Sequence, residues 1–157
     1  MKLALDLDGV LGDTRPLWQA WLADASRRLG SIATLDPDSL SPDRAAAARE
    51  LDRWAEHGIG DWRASLVRFG EDHAPVYLRP QAPVSAALRR LEAAGVRVGA
   101  YTDAPKELAE LALAHLGATR RLDALEAGEG ALERLLDRLG PGTRVVRTAS
   151  ELADAAN

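Results

Sequence analysis

Residues 2–14 read KLALDLDGVLGDT and carry most of the architectural information in this 157-residue chain. The apolar run 2–7 has the length and composition typical of a buried strand in a parallel sheet. Gly9 and Gly12 follow it and predict a tight loop. Because alternate residues of a strand point the same way, we expect the Asp6 and Asp8 side chains to lie on one side. The stretch therefore predicts a strand that ends in two neighbouring carboxylates.

Two close carboxylates repel each other unless a cation or a proton lies between them. A hard divalent ion with oxygen ligands, usually magnesium, suits such a pair. One carboxylate could attack an electrophile such as phosphorus, and the other could protonate the leaving oxygen and later activate water. The alternative is that Asp6 and Asp8 merely end a strand.

The stretch from residue 15 to residue 79 has helical periodicity and little strand character. Leu17, Trp21 and Ala25 recur every four residues, and all four tryptophans of the chain lie in this stretch, which predicts a small core of its own. Residues 35–42 form a turn-rich connection, in which Ser41 before a proline suits a helix N-cap.

From residue 80 onward, helical and strand patterns alternate, which predicts a parallel sheet with helices on both faces. The predicted helices cover residues 83–94, 105–116 and 129–139, and the predicted strands cover residues 96–101, 121–125 and 143–147. We therefore predict an α/β core formed by residues 1–14 and 80–157, with a helical cap at residues 15–79 inserted after the first strand.

The composition excludes several classes of protein. With no cysteine, the chain has no disulfide, no Cys-ligated zinc and no thiol nucleophile. Twenty basic and 24 acidic residues give a net charge of −4, so a nucleic-acid partner is not expected. No apolar run reaches the length of a membrane span, so we expect no membrane partner and a cytoplasmic location.

The segment Asp6-Leu7-Asp8-Gly9-Val10-Leu11 resembles the first motif of the haloacid-dehalogenase-like (HAD) hydrolase superfamily. The apolar residues 98–101, ending in Thr102, resemble its second motif. The resemblance implies a three-layer Rossmann-like core with strand order 3-2-1-4 and a helical cap. It also implies that Asp6 is the nucleophile, that Asp8 is the general acid/base, and that Thr102 and Asp103 hold the phosphoryl group with Mg²⁺ as cofactor. A threonine at this position could instead cap the following helix.

The chain departs from the pattern of the superfamily at the third and fourth motifs. The third-motif lysine is missing, and Lys106 is one of only two lysines, so it is either a phosphate ligand or a solvated surface residue. The two acids of the fourth motif align with Thr148 and Leu152, which leaves Glu151, one position off, as the remaining candidate metal ligand beside Asp6 and Asp8. Arg147 could bind a phosphate bidentately and stand in for the lysine or for part of the metal charge, or it could be an exposed strand-end arginine.

Three functions stay open from the sequence. The first is hydrolysis of a small phosphate monoester, a phosphorylated metabolite, through an aspartyl-phosphate intermediate. The second is a catalytically impaired member that binds a phosphorylated ligand or a protein partner, and the third is phosphoryl transfer to another acceptor. The cap arginines that could face a substrate, or simply face water, are Arg53, Arg63, Arg68 and Arg79.

Overall fold

The structure is a computed structural model that describes residues 1–29 and 39–157. Its four strands are β1 (Lys2–Asp6), β2 (Arg97–Thr102), β3 (Ala124–Ala127) and β4 (Thr143–Val146). Its α-helices are α1 (Arg15–Leu29), α2 (Arg44–Trp54), α3 (Trp62–Tyr77), α4 (Ala82–Ala93), α5 (Lys106–His115), α6 (Ala131–Leu139) and α7 (Ala149–Ala156). Residues 30–38, which include part of the predicted turn-rich connection, lie outside the described residues.

The four strands form one parallel sheet in the order β3-β2-β1-β4. This confirms the predicted α/β class and the predicted 3-2-1-4 order. Asp6 is in register with Tyr101 on β2, and Thr102 is in register with Ala127 on β3. Because all strands run the same way, the residues that follow β1 and β2 meet at one edge of the sheet, where ligands bind in folds of this type.

The chain leaves β1 through a single π-helical turn, Leu7–Leu11, where the glycines predicted a tight loop. The Asp6 carboxylate caps the start of this turn, and the Gly12 N–H donates to the Leu7 carbonyl at 3.1 Å to close it. The turn buries Leu7, Val10 and Leu11 against the core. It therefore holds the segment after β1 firmly beneath the site.

Helices α1, α2 and α3 follow β1 in the chain, as the helical periodicity predicted. Trp18, Trp21 and Trp62 pack edge to face or tilted, with ring centroids 5.3–6.3 Å apart. These rings belong to the same buried cluster as Leu3 and Leu5 of β1, so the predicted separate core is wrong: the described helices share one core with the sheet. The division into a cap and a core at residues 15 and 79 stays a prediction.

Two helix boundaries differ from the sequence prediction. Helix α2 is capped by Asp43, whose side chain accepts the Ala45 N–H, whereas Ser41, the predicted N-cap, accepts the Asp43 N–H two residues earlier. Helix α7 was not predicted; Thr148 caps it by accepting the Glu151 N–H at 3.1 Å. No helix in the described parts of the chain is both long enough and apolar enough to cross a bilayer.

Replacing Thr148 by alanine tests this cap. We expect the free energy of unfolding to fall by about 1 kcal/mol because the Glu151 N–H loses its acceptor. Urea unfolding followed by circular dichroism measures the change, and Thr148→Ser, which keeps the hydroxyl, serves as the control. Equal losses in the two variants would contradict a capping role for the hydroxyl.

Candidate active site

A cleft of about 440 Å³ opens at the carboxyl edge of the sheet, where β1 and β2 end. Helix α2 contributes Arg44 to its lining, and the start of α6 contributes Ala131 and Leu132. The cleft contains three carboxylates and two guanidinium groups. Its lining residues are Asp6, Asp8, Arg15, Pro42, Arg44, Tyr101, Thr102, Asp103, Gly128, Gly130, Ala131 and Leu132.

Asp6 ends β1 and is half-buried in the cleft. Its Oδ1 accepts the backbone N–H groups of Asp8 at 3.1 Å and Gly9 at 3.3 Å. These bonds hold the carboxylate in one orientation. Burial raises the pKa of Asp6, with a smaller contribution from the charge of Asp8, and together these outweigh the two backbone hydrogen bonds that lower it.

Asp8 uses both of its carboxylate oxygens as acceptors. Its Oδ1 accepts the Thr14 N–H at 2.9 Å and the Thr14 hydroxyl at 2.5 Å. Its Oδ2 accepts the Arg44 Nη2–H at 2.6 Å and the Thr102 hydroxyl at 2.7 Å. Asp8 is the acceptor in all four of these hydrogen bonds, so both of its oxygens are engaged by the protein.

Arg44, the first residue of α2, is the most deeply buried charge in the described chain, with only 3% of its surface exposed. Its Nη2 lies 2.6 Å from Asp8 Oδ2 and 2.7 Å from Asp103 Oδ1, and its Nε donates to the same Asp103 oxygen at 3.1 Å. Its Nη1 donates to the Thr14 hydroxyl at 2.6 Å. One guanidinium therefore joins the segments that follow β1 and β2.

Thr102 and Asp103 lie where the second motif predicts. The Thr102 side chain is buried; its hydroxyl donates to Asp8 and accepts the Ala104 N–H at 3.2 Å. It does not cap α5, whose N-cap is Pro105. Burial alone would raise the pKa of Asp103, but the hydrogen bonds and charge of Arg44 outweigh it and lower that pKa.

The other three predicted residues do not line the cleft. Lys106 begins α5 with 74% of its side chain exposed, and its Nζ lies 3.6 Å from Glu110. Arg147 is exposed beyond β4. Glu151 accepts the Arg147 backbone N–H at 3.3 Å and lies 3.4 Å from the Thr148 hydroxyl. The phosphate roles of Lys106 and Arg147 and the metal role of Glu151 stay predictions.

The residues present do not fit a magnesium ion held by protein side chains. Asp8 and Asp103 are both paired with Arg44, and Glu151 is turned to its own helix. The fourth-motif position Leu152 is fully buried in the core. Within residues 1–29 and 39–157, no group of three or more His, Cys, Asp or Glu side chains is arranged to hold a metal.

Sequence analysis missed Arg44, Thr14 and Arg15 as residues of the site. Arg15 is exposed and forms a two-bond ion pair with Asp13, at 2.8 and 2.9 Å. The available signal for Arg44 was its position in the first turn of the helix predicted to begin after Ser41, because a residue at a helix terminus can face a site whereas one on the outer side of a helix faces solvent. The four arginines of the predicted cap, Arg53, Arg63, Arg68 and Arg79, do not line the cleft.

Comparison with known proteins identifies the fold. A candidate β-phosphoglucomutase from Thermotoga maritima is 18% identical, with a TM-score of 0.58 over 99% of this chain and 81% of that one. CbbY from Rhodobacter sphaeroides, solved with phosphate, is 17% identical, with a TM-score of 0.65 over 99% and 82%. A HAD phosphatase from Thermococcus onnurineus is 20% identical, with a TM-score of 0.56 over 100% and 83%.

No family model and no curated protein matches the sequence. At 17–20% identity the structural similarities establish the fold, which spans the whole chain. The fold that the resemblance implied is thus confirmed.

Proposed function

We propose that this chain is a phosphatase-type hydrolase that acts on a small phosphate monoester through Asp6. The observation that carries the proposal is the state of Asp6 in the cleft. Two backbone N–H groups bind its Oδ1, which leaves Oδ2 without a hydrogen-bond partner among the described residues. A carboxylate with one oxygen fixed and one oxygen free is suited to act as a nucleophile.

In the proposed reaction, Asp6 Oδ2 attacks phosphorus and forms a P–O bond as the bond from phosphorus to the ester oxygen breaks. The leaving oxygen takes up a proton and departs as the alcohol. Water then attacks the phosphorus of the aspartyl phosphate, which releases inorganic phosphate and regenerates the Asp6 carboxylate. A second acceptor in place of water would turn the same first step into phosphoryl transfer.

The acid/base role of Asp8 is part of this proposal and imposes a condition on it. To donate a proton, Asp8 must exchange at least one of its hydrogen bonds, to Thr14, Thr102 or Arg44, for one to the substrate.

The exposed cation that lines the cleft is Arg15, which can meet the phosphate from the open side. The substrate class that fits is a small phosphorylated metabolite, and we place the protein in the cytoplasm.

A second candidate is a binding protein for phosphorylated ligands that has lost turnover. The four hydrogen bonds that Asp8 accepts favour it, because both carboxylate oxygens are engaged by the protein and neither is open to a leaving oxygen in this conformation. The two candidates differ in turnover and agree in phosphate binding.

The test is phosphate release from p-nitrophenyl phosphate and a panel of sugar and nucleotide monophosphates, with either Mg²⁺ or EDTA. Turnover of any of these esters with formation of a phosphorylated Asp6 peptide, detected by rapid quench and mass spectrometry, supports the hydrolase. Binding of inorganic phosphate by calorimetry without any turnover supports the binding protein instead.

The raised pKa of Asp6 predicts the pH dependence of kcat/KM. Attack requires the ionised carboxylate, so kcat/KM should fall as pH decreases through this pKa, which lies above the ordinary aspartate value of 3.8. A pH profile of kcat/KM, with circular dichroism at each pH to confirm folding, measures it. An acidic limb at or below 3.8 in the folded enzyme would contradict this role.

A further inference from the structure

We infer that the Arg44 guanidinium takes the place of a divalent cation in this cleft, so that the protein binds phosphate without metal and loss of Arg44 creates a metal site. The phosphate part rests on the proposed function, whereas the metal part does not. The inference starts from the acids at the carboxyl edge of the sheet. Asp6, Asp8 and Asp103 all line one cleft, and three carboxylates in one place require positive charge.

The positive charge comes from the chain itself. Arg44 forms ion pairs with Asp8 at 2.6 Å and Asp103 at 2.7 Å, and it is nine-tenths or more buried. An arginine keeps its charge at every physiological pH, and its planar group can bridge two carboxylates. Asp6 is then the one acid of the three without an ion pair among the described residues.

The two positions that align with the acids of the fourth motif cannot supply metal ligands in this chain. Thr148 is the N-cap of α7, and Leu152 is packed in the core, so both aligned positions have structural roles. Divalent cation affinity rises with the number of charged ligands, and one unpaired carboxylate is a weak site. The same chain that lacks these acids supplies a buried arginine from α2.

Arg44 and Arg49 provide a matched pair for the experiment. Both lie on α2, but Arg49 is half-exposed and pairs with Glu129 outside the three-acid group. We would measure Mn²⁺ binding by calorimetry and electron paramagnetic resonance for wild type, Arg44→Met and Arg49→Met. We expect Arg44→Met to bind Mn²⁺ at least about tenfold more tightly than the other two proteins, because Asp8 and Asp103 lose their counter-charge.

Arg44→Met leaves two partly buried acids without an ion-pair partner and so is the variant most prone to unfold. Arg44→Gln is the second variant, because its amide can still donate to Asp103 while the charge is gone. It should also gain Mn²⁺ affinity. A folded neutral variant that binds Mn²⁺ no better than wild type, or a wild type that binds it as tightly as the variants, overturns the inference.

Inorganic phosphate is the probe for the second part. We expect the dissociation constant of phosphate from the wild type to be the same within about twofold in the presence of EDTA and in the presence of Mg²⁺. Phosphate binding that requires Mg²⁺ overturns the metal-free claim. A wild type that binds no phosphate in either condition counts against the proposed function, and the Mn²⁺ comparison then still decides the role of Arg44.

Discussion

Asp6→Asn should abolish phosphate release, lowering kcat/KM by at least about 1,000-fold on every ester that the wild type hydrolyses. The amide cannot attack phosphorus to form an acyl phosphate. Its carbonyl oxygen can still accept the Asp8 and Gly9 N–H groups that Oδ1 accepts now, so the turn after β1 keeps its cap. Initial rates of phosphate release over a range of substrate concentrations, for the wild type and the variant, give kcat/KM.

The control for this substitution is Asp24→Asn. Asp24 lies on α1 away from the cleft and pairs with Arg28 at 2.6 Å on the surface. It changes the same functional group and should leave kcat/KM unchanged. The assignment of Asp6 as nucleophile fails if a folded Asp6→Asn retains a tenth or more of the wild-type rate, and melting temperatures of both variants establish that each is folded.

The features predictable from the sequence are those encoded locally. The apolar run before Asp6, the glycines after it and the alternation beyond residue 80 each constrain a short segment, and together they predict a parallel sheet. Its 3-2-1-4 order was implied by the resemblance to the HAD-like superfamily. Asp6, Asp8 and Thr102 meet because the ends of neighbouring parallel strands must meet.

The residues that determine the charge of the site are not encoded locally. Arg44 reaches Asp103 across 59 positions of the chain, and that contact exists only because of how α2 is placed against the sheet. Its residue type gave no sign of burial, because arginines are mostly exposed in proteins. The sequence pattern around a buried arginine is the same as that around a solvated one. Arg147 was the more natural sequence candidate because it directly follows a strand, yet its side chain lies outside the cleft lining.

The departures in the fourth motif have a physical explanation that the alignment alone could not supply. In an alignment with the fourth motif, Thr148 and Leu152 stand where acidic residues are expected and so read as lost metal ligands. In the structure Thr148 is the N-cap of α7, and Leu152 packs that helix against the core. A carboxylate at Leu152 would be buried without a partner at a cost of several kcal/mol, so this helix could not simply regain the acid.

Gly9→Ala should both destabilise the protein and reduce its activity, because a side chain at this position has nowhere to go. A Cβ on Gly9 would lie 2.2 Å from the backbone carbonyl oxygen of Arg147 and 3.4 Å from Asp6 Oδ2. A carbonyl oxygen after a strand cannot rotate away as a side chain can, so the turn after β1 and the end of β4 must separate. We expect a loss of about 3 kcal/mol in the free energy of unfolding, at the upper end of the range for overpacking.

The catalytic loss has the same origin as the loss of stability. The Gly9 N–H is one of the two groups that orient Asp6, and a shift of about 1 Å in a reacting group costs on the order of 100-fold in rate.

Gly99→Ala is the matched control: its Cβ would meet the Leu135 Cδ1 at 2.6 Å, but that atom ends a flexible side chain. Alanine lowers the backbone entropy of the unfolded chain equally in the two variants, so the difference between them isolates the contact with Arg147. We expect Gly99→Ala to lose about 1 kcal/mol and keep its activity, since Leu135 can adopt another rotamer. Urea unfolding and kcat/KM for the two variants give the comparison, and equal effects would show that the close approach of Gly9 to β4 does not hold the nucleophile in place.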